Sequence, residues 1–162
     1  MAKRLYLTKP EVQQLIEATY NGRYGVRDRC MICIAYIHGL RVSELTGLKM
    51  SDLDLEGKRI HIRRLKNGFS TVHPILAEEI ELLNDWLKIR HNFVKEESTW
   101  LFLTSQGKRL SRQRLSMLLK RYSVMAALNI TVNPHMLRHG CGYELAEQGL
   151  DTRLIQDYLG HR

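Results

Sequence analysis

One stretch of this chain leaves helical periodicity. Arg59-Ile60-His61-Ile62-Arg63-Arg64 alternates polar and apolar residues, the pattern of a half-exposed strand. Lys66-Asn67-Gly68 comes next, and Asn-Gly is the strongest short hairpin signal. Phe69 to His73 reads as the returning strand, ended by Pro74, which has no N–H to donate to a ladder. Lys66 is thus expected on the tip of a β-ribbon. The segments around this hairpin read as helix, so the fold expected is mainly α with a small antiparallel β-sheet.

The helical segments carry their own punctuation. Thr8-Lys9-Pro10-Glu11 is a capping box with proline in the first turn, and Val12, Leu15 and Ile16 follow at helical spacing. Asn21-Gly22 marks a turn. Arg27 to His38 is apolar enough for a central helix, and Gly39 is a plausible stop. Ser43 is expected to cap a short helix beginning at Glu44. Ala77 to about Val94 is helical, with Ile80, Leu83, Leu87 and Phe93 on or near one face. Trp100-Leu101-Phe102-Leu103 is a short apolar run before a turn at Gln106-Gly107. Ser111 caps a helix through about Ala127, and Pro134 opens another that ends before Gly149. Asp151 or Thr152 caps the last, which stops near Gly160. No repeat, low-complexity tract or linker divides the 162 residues, so residues 1–162 are expected to form a single domain with one core.

Charge narrows the partner. Twenty-five Lys and Arg against 17 Asp and Glu leave a net +8, an excess that favours a polyanion. Three cysteines are too few and too irregular for a disulfide framework. Cys30 and Cys33 sit inside an apolar helical run and read as small core residues. No long apolar stretch follows the N-terminus, so neither a signal peptide nor a membrane span is expected, and a reducing, cytoplasmic setting fits.

The residues with chemistry cluster late. His135-Met136-Leu137-Arg138-His139 is followed by Leu159-Gly160-His161, and Gly39-Leu40-Arg41-Val42-Ser43-Glu44-Leu45 lies far upstream. No acidic residue stands among the two arginines and the imidazoles of this set. A transferring phosphoryl group gathers negative charge on its non-bridging oxygens, which guanidinium forks bind bidentately at any working pH. A leaving oxygen needs a proton donor and a nucleophile needs a base. Arg41 and Arg138 can clamp, Lys66 can donate, His135 can accept or donate, and His161 adds a second imidazole. Two-metal nucleases need paired carboxylates, which these motifs lack, so metal-free phosphoryl transfer or phosphate binding is expected, with no metal and no cofactor. Zinc on His135 and His139 is the alternative, although Met-Leu-Arg stands between them where zinc hydrolases carry Glu-x-x. His139 is assigned to the core and Glu44 to structural support. Lys108, Arg109, Arg112, Arg114, Lys120 and Arg121 crowd around the Ser111 helix and make it a candidate for a DNA groove.

Taken together and in order, Gly-Leu-Arg41-Val-Ser-Glu-Leu, the Lys66 hairpin, His135-Met-Leu-Arg138-His139 and Leu-Gly-His161 resemble the tyrosine recombinases of the phage-integrase type over essentially the whole chain. Arg-Leu-Lys66-Asn-Gly-Phe-Ser-Thr-Val-His-Pro and Asp151 to Arg162 are similar to the fimbrial phase-variation recombinases in particular. The resemblance implies the tyrosine-recombinase catalytic-domain fold and a site-specific DNA inversion between inverted repeats. It implies that Arg41 and Arg138 hold the scissile phosphate, Lys66 protonates the leaving 5′-oxygen, His135 assists the nucleophile and His161 hydrogen-bonds the phosphate. The family nucleophile is a tyrosine that forms a 3′-phosphotyrosyl link, without metal or ATP. Double-stranded DNA, a homotetramer assembled on it and accessory DNA-bending proteins are the implied partners, in a bacterial, nucleoid-associated setting.

That tyrosine is expected about nine residues after His161, past Arg162, so residues 1–162 are expected to bind DNA without cleaving it. Tyr158 precedes His161 and is expected to pack rather than attack. A non-catalytic DNA-binding regulator with the same fold is the second reading.

Overall fold

The computed structural model describes residues 4–64, 68–96 and 98–161. Among the described residues seven α-helices and three strands follow one another: α1 (Lys9–Ala18), α2 (Gly25–His38), α3 (Val42–Thr46), β1 (Leu53–Asp54), β2 (Arg59–Ile62), β3 (Thr71–Pro74), α4 (Ala77–Arg90), α5 (Arg112–Met125), α6 (Pro134–Glu147) and α7 (Thr152–Leu159). The strands pair antiparallel in the order β1-β2-β3, with Ile60 opposite His73 and Ile62 opposite Thr71. The architecture is mainly helical with one small antiparallel sheet. Lys66 and Asn67, within the β2–β3 connection, lie outside the described residues.

α2 is the central element. Cys30, Met31, Ile32, Cys33, Ile34 and Ala35 are all buried, so α1, α4 and α6 pack around a helix with no solvent face over that run. Trp86 of α4 and Phe102 close the core on one side, and the Trp86 indole N–H donates to the Leu101 carbonyl at 2.9 Å. The two chain halves are stitched by backbone bonds: Leu7 N–H to Met136 O (3.1 Å), Met50 N–H to Thr99 O (2.8 Å) and Leu101 N–H to Leu48 O (2.8 Å).

Helix ends follow local chemistry. Thr8 and Glu11 form the capping box at α1. Ser111, Asn133 and Asp151 each accept a backbone N–H at the start of α5, α6 and α7. Three expectations need correcting. α3 begins at Val42 with Arg41 at its N-cap, because the Glu44 carboxylate accepts the Arg41 N–H at 2.7 Å and Ser43 is already inside the helix. α4 ends at Arg90, whose guanidinium turns back to the Ser98, Trp100 and Leu101 carbonyls. The sheet gains β1, two residues too short to announce themselves by alternation. No helix among the described residues is long and apolar enough to cross a membrane.

Candidate functional site

The site is assembled where three helix ends meet. α2 ends at Gly39, whose φ of 64° is left-handed and favours glycine. A Cβ there would collide with Leu159 Cδ2, so the close approach of α7 also needs a glycine. The turn delivers Arg41 to the N-cap of α3 with its side chain 43% exposed. α6 contributes Arg138, buried, and α7 ends at Gly160 (φ 73°), which releases His161 onto the surface.

Arg138 fastens these ends together. Its Nη1 donates to Gly39 O at 2.5 Å and its Nη2 to Leu159 O at 3.1 Å. Burial, and then the charge of Arg41, push its guanidinium down to about 10, which leaves it cationic at neutral pH. Glu44 is the shared counter-charge. Its buried carboxylate accepts Arg64 Nη1 at 2.7 Å and Arg41 Nη1 at 3.4 Å, and stands 4.0 Å from Arg138 Nη1. The expectation of a site without an acidic member is corrected here: three guanidiniums this close need a carboxylate between them, and a surplus of positive charge still remains. His161 feels that surplus. Burial first, then Arg138, Arg41 and Arg64, hold its imidazole below the usual histidine range, favouring the neutral ring at neutral pH.

His135 is exposed in the first turn of α6, behind Asn133 and Pro134. With Arg41, Val42, Asn133 and, from α5, Arg112 and Lys120, it lines an open groove of about 620 Å³. Arg41, Arg138 and His161 thus gather around Glu44, while His135 shares the groove with Arg41. Lys66 lies outside the described residues.

The six candidate DNA-binding residues do not line one groove. Of its six members, Arg112 and Lys120 share the groove with Arg41 and His135. Arg114 and Arg121 line a separate cleft with Arg23 and Tyr24 on another side of α5. Arg109 lays its guanidinium 4.7 Å from the Trp100 ring centroid and donates to Ser43 O and Thr46 Oγ1, both at 3.3 Å. Lys108 is exposed in the turn before α5. His139 also departs from expectation, being exposed. α6 buries Met136, Leu137, Gly140 and Cys141, so residues 135 and 139 fall together on its rim. Their ring centroids are 6.4 Å apart, and among the described residues no cluster of three His, Cys, Asp or Glu could hold a metal.

Tyr158 is locked. Its hydroxyl donates to Ile37 O at 2.7 Å, its ring stacks on His73 at 3.9 Å, and burial raises its phenol well above the ordinary range.

Four residues around the site were not among the candidates that the sequence motifs named. Arg64 follows β2 with its side chain fully buried, and Nη2 donates to Thr71 Oγ1 (3.1 Å) and Tyr158 O (3.2 Å). Strand alternation carried the signal, since Ile60, Ile62 and Arg64 share a face and the first two are buried. His73 sits on the inner face of β3, and His38 and Glu79 are buried beside it.

The phage integrase family model matches residues 5–162. The chain belongs to the phage integrase family. It is 47% identical over 160 residues to the type 1 fimbriae regulatory protein FimB of Escherichia coli (strain K12), covering 99% of this chain and 80% of FimB. It is 52% identical over 163 residues to the regulatory protein FimE of Shigella flexneri, covering 100% of this chain and 82% of FimE. Among solved structures, the XerA recombinase superposes with a TM-score of 0.87 at 27% identity, over 99% of this chain and 57% of XerA. The XerH site-specific recombinase, solved on its palindromic difH substrate in a post-cleavage complex, superposes with a TM-score of 0.84 at 27% identity, over 98% of this chain and 46% of XerH. The chain therefore spans about half the length of these two solved recombinases, and its fold is that of tyrosine-recombinase catalytic domains.

Proposed function

We propose that residues 1–162 form the catalytic domain of a site-specific recombinase that inverts a DNA segment at a fimbrial phase switch. The observation that carries this is the Arg41–Glu44–Arg138 cluster with His161 beside it, on a chain whose FimB and FimE relatives are fimbrial regulators. Arg41 and Arg138 bind the non-bridging oxygens of the scissile phosphate, where charge grows in the transition state. Glu44 holds Arg41 and balances Arg138, which the Gly39 and Leu159 carbonyls fix in place, so little reorganisation accompanies the reaction. His161, as a neutral ring, donates to a phosphate oxygen. A tyrosine oxygen attacks phosphorus and passes its proton to His135. The bond to the 5′-oxygen breaks and Lys66 protonates that oxygen. The 3′-phosphotyrosyl link keeps the bond energy, so neither ATP nor a metal is consumed. Arg112 and Lys120 track the DNA backbone along the groove.

Tyr158 is not that tyrosine, because attack would require breaking its bond to Ile37 and its stack on His73. The attacking residue belongs to the segment that follows His161 in the family, and residues 1–162 alone bind DNA without forming an adduct. The working assembly is a homotetramer on two DNA sites bearing inverted repeats, helped by DNA-bending proteins, in the bacterial cytoplasm.

A nicked suicide substrate carrying the inverted repeat tests the reading in EDTA. A chain of this sequence continued through the family's tyrosine segment is expected to form a covalent 3′ adduct, and residues 1–162 none. DNA binding with no adduct from the continued chain would favour a non-catalytic DNA-binding regulator. An adduct from residues 1–162 would overturn the assignment of Tyr158.

A further inference from the structure

Beneath the arginine cluster runs a buried line of hydrogen bonds that the mechanism does not use. Glu79, at the start of α4, lies 2.5 Å from His38 Nε2, and its other oxygen accepts the Leu76 N–H at 2.8 Å. His38 Nδ1 faces His73 Nδ1 at 2.8 Å. His73 Nε2 reaches Tyr158 O at 3.0 Å, the same carbonyl that Arg64 Nη2 holds at 3.2 Å. Three residues later in the chain stands His161.

The protons on this line can be placed by counting. A carbonyl only accepts, so His73 Nε2 carries hydrogen and donates to Tyr158. Burial, and then His38, push His73 down to about 3, so at neutral pH it has no second proton and its Nδ1 accepts. His38 must then donate from Nδ1. Its Nε2 and Glu79 share one further proton, either on the carboxyl or on an imidazolium beside the carboxylate. The Tyr158 hydroxyl, 3.4 Å from His38 Nδ1, donates elsewhere, to Ile37, and does not compete. Among the described residues the groups facing the line are Tyr158 from α7, Arg64 after β2, Cys30 and Cys33 from α2 and Cys141 from α6.

We propose that His73 is a positioning residue: the proton shared by Glu79 and His38 fixes its tautomer, its Nε2–H then grips the Tyr158 carbonyl together with Arg64, and this double grip sets where His161 stands over the Arg41–Arg138 pair. The role in catalysis rests on the recombinase reading; the proton arrangement and the placement of His161 do not. Arg64 belongs to the same clasp. Its Nε is buried without a partner, and a Cβ at Gly160 would stand 2.5 Å from that atom, so the α7 terminus is built tightly around this guanidinium.

Two substitutions at Glu79 separate donor direction from charge. In Glu79→Gln the side-chain carbonyl still accepts from Leu76, and the amide donates to His38 Nε2. That forces the His38 proton onto Nδ1 and keeps His73 donating to Tyr158. Glu79→Leu removes the constraint. Imidazole ¹H–¹⁵N spectra of residues 1–162 should show His73 as the Nε2–H tautomer and His38 with hydrogen on Nδ1. The His161 titration midpoint should stay low in wild type and Glu79→Gln, and rise toward the ordinary histidine value in Glu79→Leu and His73→Phe. In the chain continued through the tyrosine segment, Glu79→Gln should form adduct within about twofold of wild type. Glu79→Leu and His73→Phe should fall by roughly 10- to 10²-fold at unchanged DNA affinity.

An Nδ1–H tautomer at His73, or a His161 midpoint that moves alike in Glu79→Gln and Glu79→Leu, would overturn the proposal. If wild type forms no adduct the recombinase reading fails, while the spectra still decide the clasp. Should His73→Phe not fold, the two Glu79 variants carry the comparison.

Discussion

The Tyr158 hydroxyl donates to Ile37 and its ring lies on His73, so its part in the molecule is packing. Tyr158→Phe should leave adduct formation by the tyrosine-extended chain unchanged and cost about 1 kcal/mol of stability for one buried hydrogen bond, read as a shift in the urea midpoint. His73 makes folding pH-dependent. Its folded value of about 3 lies below the ordinary 6.5, so as pH falls the unfolded chain takes up this proton first. Its stabilising contribution is therefore complete above about pH 6.5 and drains as pH falls toward 3. The depressed His161 adds in the same direction. Urea midpoints should drop between about pH 7.5 and 5, and His73→Gln should flatten that slope. At this scale short motifs name Arg41, His135, Arg138 and His161, and the structure gathers Arg41, Arg138 and His161 around Glu44 with His135 on the groove beside Arg41. Arg64 and His73 were not singled out: alternation places Arg64 on the inner face, but only distant partners, Glu44 for Arg64 and His38 and Tyr158 for His73, give the two residues a role. Glu44 lies three residues from Arg41 and so looked like a local support. Its other partners, Arg64 and Arg138, are distant in sequence, and it is the counter-charge of all three arginines.

α5 shows what a helix adds to a list of basic residues. Its buried stripe of Leu115, Leu118, Leu119 and Tyr122 turns Arg112 and Lys120 toward the Arg41–His135 groove and Arg114 and Arg121 away from it. Arg112→Ala with Lys120→Ala should weaken DNA binding and lower the slope of log affinity against log salt by about 2, one for each phosphate no longer neutralised. Arg114→Ala with Arg121→Ala should change that slope less. Titration by fluorescence anisotropy between about 50 and 200 mM salt reads both. Ser111 caps this helix, and Ser111→Ala should cost about 1 kcal/mol without altering the slope. Helix existence was legible from capping residues and period, and so was the hairpin. The cap of α3 was misjudged because a serine at a helix start is the commoner cap, whereas here Glu44 reaches back to the Arg41 N–H.

Across the whole molecule, the site exists only because distant segments close on one another. Arg138 joins the Gly39 turn to the end of α7, spanning 99 residues in one direction and 21 in the other. Gly39→Ala should therefore disturb both stability and the site, through its left-handed φ and the collision with Leu159. The fold class was readable from periodicity, but this convergence was readable only through the resemblance, since nothing local in Gly39-Leu40-Arg41 says which far segment it meets. The proposed chemistry turns on Arg41 and Arg138 gripping the scissile phosphate itself. The most direct measurement is the DNA affinity of residues 1–162 for a site with that one phosphate replaced by a neutral methylphosphonate, in wild type and in Arg138→Ala. Wild type is expected to bind the replaced site more weakly than the natural one, and Arg138→Ala to discriminate between the two much less. Equal discrimination by both proteins would contradict that grip.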